Sequence, residues 1–468
     1  MPRLDYDYTN LTADVVGVDH GISDADIDAL RPALAAAVDD LHEFGAGEDR
    51  VFLDLPDVDP TPLIERARED AERFTDLVVL GIGGSSLGAR AVYSALTRPY
   101  TGDHRDGSTR DGVRLHFVEN VDAVATMDLL DHLDLRTTAF NVVTKSGNTI
   151  ETMSTFAIIR ERLIDRFGFD GYQQRVIATT DPRRGGLRQI VEADGLTSFD
   201  VPPGVGGRFS VLTPVGLYPL AAAGLDIEAL LHGARRARTR AGERAAEENP
   251  AGLFALAQVA FHERAMRDVV LMPYAVGLAD TAAWFVQLWA ESLGKKRRAE
   301  DGTVEHVGPT PIGAIGVTDQ HSQLQLYMEG PPTKNLVFVE VGTTEVASTV
   351  PSLGDACSSL RHLSGRSLDE IMLAELRGVR AGLAEVGRPT STFRMDVLDA
   401  DTLGQLLMTL ECATAIAGHM LGVDPYDQPG VELGKRYAHG LLGRDKERAY
   451  AEQLREGMAN RTTRVVRG

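Results

Sequence analysis

A carboxylate on an otherwise apolar helix face is the first feature of the sequence that points to chemistry. In segment 284–295, Trp284, Leu288 and Glu291 have the i, i+4, i+7 spacing of one helix stripe. A buried carboxylate costs free energy unless it is paired or used in a reaction. The spacing therefore predicts that Glu291 is either a general base for proton transfer or the partner of a core arginine.

A glycine-rich turn at 81–88, GIGGSSLG, stands between a predicted strand and a predicted helix. Glycines such as Gly84 let the backbone approach an anion, and Ser85 adds a hydroxyl donor near the helix N-terminus. The turn does not match the dinucleotide fingerprint G-x-G-x-x-G, because Ser86 occupies the third glycine position. The motif predicts an anion site or, equally, a simple tight turn.

A second turn at 144–149 concentrates hydroxyl groups between a strand and a helix. Thr144, Lys145, Ser146 and Thr149 suit a phosphate monoester without an attached nucleotide. The alternative is an ordinary helix cap, since Ser, Thr and Asn are favoured there. Two such turns in one sheet favour the phosphate interpretation.

An arginine held between glycines and an aromatic residue is the next candidate. Arg208 follows Gly206 and Gly207 and precedes Phe209. Such a place suits a cation that stabilises developing negative charge. A structural salt bridge is the alternative.

A histidine and a lysine complete the candidate groups. His321 can act as an acid or base near neutral pH, although capping or surface placement is the more common outcome. Six of the 48 Lys and Arg residues are lysines, and four of them, Lys145, Lys295, Lys296 and Lys435, fall inside candidate motifs. Because the two residue types are not interchangeable, these positions indicate a need for a compact ammonium.

The elements that position these residues alternate between short apolar runs and helical stretches. This pattern predicts the α/β class, with two doubly wound parallel-sheet domains whose ligands lie beyond the carboxyl ends of the strands. The predicted strands are 77–80, 113–118, 139–144, 175–180, 269–274, 335–341 and 392–397.

Four segments make up the predicted domain organisation. Helices and loops occupy 1–50, the first α/β domain 51–225 and the second 226–444, which begins with a long helical region to about 267. The charged end, 445–468, is predicted to be a final helix or a frayed tail.

The composition of the 468-residue chain excludes several classes of protein. A formal net charge of −20 opposes nucleic-acid binding, and no apolar run is long enough for a membrane span. The two distant cysteines, Cys357 and Cys412, have no metal-ligand spacing and fit a reduced, intracellular protein, and the polar N-terminus is unlike a secretory signal. Acidity with scarce lysine is typical of salt-loving archaea, or of an acidic protein from a GC-rich genome.

Taken together, these segments resemble the glucose-6-phosphate isomerase (phosphoglucose isomerase) family. Three of them are specific: VGGRFSVLTPVG at 205–216, WAESLGKK at 289–296 and YDQPGVELGK at 426–435. The sequence departs from the family pattern at Pro203, Asn148 and Ile150, which affects individual phosphate contacts more than the reaction.

The resemblance implies two sugar-isomerase-type (SIS-like) domains and reversible conversion of glucose 6-phosphate to fructose 6-phosphate in the cytoplasm, without metal or cofactor. It implies that Glu291 transfers the proton, that Arg208 steadies a cis-enediol(ate), and that His321 and Lys435 assist ring opening. It further implies a homodimer in which the partner supplies His321. The implied substrate-binding residues are Gly84, Ser85, Thr144, Lys145, Ser146, Thr149 and Gln428.

Three other functions are compatible with parts of this pattern. An isomerase that also accepts mannose 6-phosphate would need the same residues. A non-catalytic sugar-phosphate sensor would not require Glu291, His321 and Lys435 together. A dinucleotide oxidoreductase would require the glycine that Ser86 replaces.

Overall fold

Two five-stranded β-sheets and one two-stranded hairpin are formed by the part of the chain that the structure describes. This computed structural model describes all residues except 1–2, 43–47, 106, 109–110, 300, 343, 345, 353, 460, 463 and 467–468. The strands are β1 (Leu4–Asp7), β2 (Asp76–Leu80), β3 (Arg114–Val118), β4 (Thr138–Thr144), β5 (Val176–Thr180), β6 (Thr197–Asp200), β7 (Asp268–Pro273), β8 (Lys295–Arg298), β9 (Val304–Val307), β10 (Thr310–Gly313), β11 (Lys334–Val341) and β12 (Thr390–Met395).

Helices surround both sheets. Gly168, with φ 71° and ψ 178°, interrupts the longest of them, α6 (Ile150–Gln173). The others are α1 (Ala13–Val16), α2 (Asp24–His42), α3 (Thr61–Ala71), α4 (Leu87–Leu96), α5 (Ala123–His132), α7 (Gly186–Asp194), α8 (Pro214–Ala222), α9 (Ile227–Ala241), α10 (Pro250–Glu263), α11 (Ala279–Leu293), α12 (Leu324–Glu329), α13 (Leu368–Glu385), α14 (Ala400–Met420), α15 (Glu432–Leu441) and α16 (Arg448–Ala459).

The first sheet has the order β3-β2-β4-β5-β6 and is parallel throughout. Successive side chains of a strand point to opposite faces of the sheet, and helices cover both faces here, so the central strands β2, β4 and β5 are buried at every residue. Val78 packs with Phe156 and Leu163 on one face. On the other face Val79 packs with Val215. The doubly wound arrangement predicted for this part of the chain is confirmed.

The second sheet has the order β1-β12-β11-β7-β10. β12, β11, β7 and β10 are parallel, whereas β1 runs antiparallel to β12, with Leu4 opposite Met395. The N-terminal segment, predicted as helices and loops, thus contributes an edge strand. An edge strand needs apolar contacts on one face only, so the sequence LDYD has no strong strand pattern.

All seven predicted strands overlap observed strands, and the α/β class is confirmed. The sequence did not predict β1, β6, β10 or the hairpin β8–β9, and the long helical region from about 226 is two helices, α9 and α10. The missed strands are four residues each and are not continuously buried. None of the helices built from the described residues combines the length and apolar character that crossing a membrane requires.

Two compact units make up the chain: Met1–Pro425, which contains both sheets, and Tyr426–Gly468. Within the smaller unit, the rings of Tyr437 and Tyr450 lie 5.5 Å apart, edge to face, and Arg436 Nη1 donates a hydrogen bond of 3.0 Å to the Tyr450 hydroxyl. The charged end thus contains the helix α16. The domain boundaries at 225 and 444 stay predictions.

Candidate active site

The carboxyl ends of β2 and β4 form the switch point of the first sheet. β2 lies between β3 and β4, so the chain leaves β2 toward one side and later returns to the other. Ligands bind at such points in doubly wound sheets. The glycine turn, 81–88, follows β2, and the hydroxyl turn, 144–149, begins at the last residue of β4. The fold therefore places both predicted anion-binding turns side by side.

The glycine turn is packed directly against the loop that carries Arg208. A Cβ atom on Gly84 would lie 2.2 Å from the carbonyl carbon of Gly207, so no larger residue fits at position 84. The Ser210 hydroxyl donates a hydrogen bond of 2.8 Å to the Gly84 carbonyl. Ser85, in the same turn, is half-buried. The two loops are thus fixed to each other mainly through their backbones.

Three hydroxyl groups converge in the second turn. Thr144 Oγ1 lies 2.8 Å from Thr149 Oγ1, and Ser146 Oγ lies 3.3 Å from each of them. Thr149 is the N-cap residue of α6, yet its side chain makes no capping hydrogen bond. The hydroxyl group faces the cluster instead, at the positive end of a helix dipole. This arrangement suits a phosphate group better than an ordinary cap.

Asn148 shapes this turn from within. Its Nδ2 donates to the Ser146 carbonyl at 3.0 Å, and its Oδ1 accepts from the Gly186 amide at 3.1 Å. Gly147 has φ +66°, and a Cβ there would lie 2.9 Å from the backbone of Gly185. The asparagine that departs from the family pattern therefore holds the turn against the loop after β5.

Lys145 links the hydroxyl turn to the Arg208 loop. Its ammonium donates a hydrogen bond of 2.8 Å to the Val205 carbonyl and a second one to the Pro203 carbonyl. Both acceptors lie three to five residues before Arg208. A lysine ammonium supplies several donors to such carbonyls. In addition to its predicted place at the phosphate, Lys145 thus positions the backbone that leads to Arg208.

Glu291 lies where these loops meet, on the last two turns of α11. Gln287 Nε2 donates to Glu291 Oε2 at 3.2 Å, and Arg208 Nη1 lies 3.8 Å from the same oxygen. The Glu291 side chain is 26% exposed, whereas that of Arg208 is 1% exposed. A Cβ on Gly83 would lie 3.0 Å from Gln287 Nε2, so this pair also faces the glycine turn.

Gln287 was not predicted from the sequence. The signal that could have identified it is its position four residues before Glu291 on the same predicted helix. A buried arginine lies near the Glu291 carboxylate, at the long distance of 3.8 Å, and the carboxylate stays accessible. The role of Glu291 as a general base stays a prediction.

Arg208 is held rigidly by groups other than Glu291. Its Nε donates to Ser292 Oγ at 2.6 Å, its Nη2 donates to the Pro425 carbonyl, and the guanidinium lies 5.7 Å from the centroid of the Phe209 ring. Burial in low dielectric strengthens the field of a fixed cation. A group so placed stabilises negative charge without first rearranging.

His321 lies on a different element from Glu291 and Arg208. It ends the 3-10 turn Thr318–His321, and its side chain is exposed. Among the described residues, no hydrogen bond or ion pair joins His321 to Glu291. The preceding residue, Gln320, donates to the Tyr274 hydroxyl at 2.7 Å, which fixes the turn to the end of β7.

Gln428 and Lys435 belong to the smaller unit, Tyr426–Gly468. Gln428 precedes the turn Pro429–Val431, and Lys435 lies on the first turns of α15. Lys435 Nζ donates to Glu432 Oε1 at 2.9 Å, and this hydrogen bond lowers the pKa of the Glu432 carboxyl. Both predicted residues are exposed in their unit.

No group of three or more His, Cys, Asp or Glu side chains within the described ranges is arranged to hold a metal ion. The donors around Glu291 are an amide, a guanidinium and hydroxyls, which suit an anionic organic substrate. The arrangement can anchor a phosphate, abstract a proton and stabilise an oxyanion.

Comparisons with known proteins identify a family that this chain resembles over most of its length. The model of the phosphoglucose isomerase family matches residues 67–453. A glucose-6-phosphate isomerase of Rubrobacter xylanophilus is 43% identical over 96% of this chain and 100% of its own length. A probable glucose-6-phosphate isomerase of Natronomonas pharaonis is 38% identical over 95% of this chain and 96% of its own length.

Solved structures show the same fold. A hypothetical protein from Thermus thermophilus has a TM-score of 0.82 and 33% identity, covering 95% of this chain and 100% of that one. A glucose-6-phosphate isomerase from Chlamydia trachomatis has a TM-score of 0.78 and 22% identity, covering 97% of this chain and 91% of that one.

Proposed function

The chain belongs to the phosphoglucose isomerase family, whose glycolytic reaction interconverts glucose 6-phosphate and fructose 6-phosphate, and we propose that Glu291 carries out the proton transfer of this reaction. The observation that supports this role is the shared environment of Glu291 Oε2. Gln287 and the buried Arg208 lie 3.2 and 3.8 Å from it, beside the glycine turn at the switch point. The carboxylate is oriented by both groups yet remains accessible to a substrate.

The reaction needs one base that serves two carbons. In the open-chain sugar, Glu291 removes the proton from C2 and delivers it to C1, while the C2 hydroxyl loses its proton and the C1 oxygen gains one, so C2 is oxidised as C1 is reduced. Electrons balance within the substrate, and no redox cofactor takes part. The intermediate is an enediol or enediolate, and its negative charge develops beside the guanidinium of Arg208. Gln287 orients the carboxylate by its hydrogen bond.

The phosphate is proposed to bind in the two turns. The hydroxyls of Thr144, Ser146 and Thr149 would donate hydrogen bonds to the phosphate at the N-terminus of α6. Gly84 and Ser85 would contact it from the adjacent turn. Lys145 contributes both to this site and to the position of the Arg208 loop. Gln428 is proposed to complete substrate binding.

Ring opening requires an acid and a base at the ring oxygen and the anomeric hydroxyl. His321 and Lys435 are proposed for these steps. Each is exposed, and each can transfer or donate a proton.

Proton NMR of the purified protein with glucose 6-phosphate in deuterated water tests the function directly. We expect fructose 6-phosphate to appear, with deuterium entering the carbon next to the carbonyl through exchange at Glu291. Binding of the sugar phosphate without product and without exchange at C2 would contradict the proposal.

We propose that the protein is a homodimer in which the partner supplies His321 to each site. The exposure of His321 and the lack of a bond to Glu291 among the described residues support this arrangement. A purified heterodimer of one Glu291→Gln chain and one His321→Ala chain should regain about half of the wild-type activity, because one of its two sites is intact. Each homodimeric variant serves as the inactive control, and a heterodimer as inactive as both parents would show that the sites are not shared.

A cytoplasmic location is proposed from the glycolytic reaction. The net charge of −20 with only six lysines further supports a salt-rich cytoplasm.

A further inference from the structure

The helices α4 and α11 carry the two sides of the active site. α4 begins directly after the glycine turn, and α11 ends two residues after Glu291. Ser94 on α4 contacts Asp280 at the start of α11, whereas Gly83, before α4, faces Gln287 further along α11. The two helices therefore run antiparallel, and a shift of one along the other would move Glu291 relative to the glycine turn.

A cluster of polar side chains, here named the Arg90 clasp, fixes the position of α4 along α11. Arg90 Nη2 lies 3.1 Å from Asp280 Oδ1, and Arg90 Nη1 pairs with Glu119 Oε2. Ser86 Oγ donates to Glu119 Oε1 at 2.5 Å, and Ser94 Oγ donates to Asp280 Oδ2 at 2.6 Å. These five residues join α4, from its N-cap Ser86 to Ser94 in its last turn, with the residue after β3 and the first turn of α11.

The clasp differs from an ordinary surface ion pair. The side chains of Arg90, Glu119 and Asp280 are only 30%, 20% and 29% exposed, so solvent screens them incompletely. The planar guanidinium group of Arg90 contacts the carboxylates of Glu119 and Asp280 at once, so it fixes both the orientation and the separation of these two groups. Asp280 also lies at the positive end of α11, where a carboxylate is stabilised.

We propose that Arg90 is a positioning residue of the isomerase, which sets the distance between Glu291 and the sugar held by the glycine turn. The inference rests on the proposed role of Glu291. Asp280 and Glu291 share one uninterrupted helix and lie about 16 Å apart along its axis. A rigid helix transmits a displacement at Asp280 to Glu291. Displacements near 1 Å at a reacting group lower rates by up to about 100-fold.

Arg90→Met tests the clasp with two readouts, kcat and the fraction of C2 deuterium that [2-²H]glucose 6-phosphate transfers to C1 rather than to solvent. We expect kcat to fall about 10- to 100-fold with a smaller change in KM, and the transferred fraction to fall as well. Arg90→Lys should recover part of both, because an ammonium reaches one carboxylate at a time.

Arg66→Met is the matched control. Arg66 forms a comparable helical pair with the buried Asp70, at 2.7 and 2.9 Å, away from α11. This variant should lower Tm and leave kcat and the transferred fraction unchanged. If Arg90→Met does not fold, Asp280→Ala replaces it, since it removes both acceptor oxygens that link α4 to the start of α11 and keeps the pair between Arg90 and Glu119.

A transferred fraction equal to that of the wild type in Arg90→Met, or in Asp280→Ala, overturns the proposal, whatever the loss of activity. Glu291→Gln, measured in parallel, reports on the premise separately. An active Glu291→Gln would remove the proposed base, whereas an inactive one beside an unaffected Arg90→Met would reject only the clasp.

Discussion

Glu291→Gln is expected to lower kcat about 10³-fold, since an amide of the same shape cannot accept the C2 proton, and general base catalysis contributes 10²- to 10⁴-fold. The substituted side chain still fits between Gln287 and Arg208, so folding and substrate binding should persist. Steady-state kinetics with glucose 6-phosphate and a thermal melt measure the two effects separately.

Glu305→Gln is a suitable control for this experiment. Glu305 pairs with Arg297 in the hairpin β8–β9, outside the loops around Glu291. Its substitution should leave kcat unchanged. If Glu291→Gln kept more than a tenth of wild-type turnover, another group would have to act as the base.

Arg208→Ala is expected to lower kcat about 10²- to 10³-fold and to raise KM less, on the scale of one lost oxyanion donor. The guanidinium is held by Ser292 and the Pro425 carbonyl before substrate arrives, so its field acts chiefly on the charge that develops during reaction. Separate determination of kcat and KM checks this. Because removal of a buried cation leaves its partners unsatisfied, Tm should fall too.

Arg208→Lys separates the catalytic effect from the loss of stability. It keeps the charge but cannot reproduce the hydrogen bonds to Ser292 and Pro425 together, so we expect an intermediate kcat. The opposite pattern in Arg208→Ala, a large increase in KM with kcat preserved, would make Arg208 a substrate-binding residue.

The parts of the fold that the sequence predicted are those with the strongest physical signal. β2, β4 and β5 are buried at every residue, and apolar runs such as LVVL in β2 are typical of such strands. β10 contains Pro311 and none of its residues is buried, and β1 pairs through long-range contacts with β12. Neither leaves a local pattern, because neighbours distant in sequence determine them.

In the candidate site, too, the residues that were predicted have a local sequence signal, and those that were missed depend on contacts distant in sequence. Glu291, Arg208 and the two turns were predicted because each has an unusual residue type in a local motif. Arg90 was not, since its partner Glu119 is 29 residues away and a lone arginine after a glycine turn is indistinguishable from a surface residue. Only the folded chain brings these charges together.

The main-chain contact between Gly84 and Gly207 is expected to make the packing of these two loops insensitive to salt concentration. Two peptide backbones in van der Waals contact carry no net charge, so added salt neither weakens nor strengthens them. The Arg90 clasp consists of charges and is open to screening. In a chain with a net charge of −20, this uncharged junction between the glycine turn and the Arg208 loop is expected to depend less on ionic strength than the clasp does.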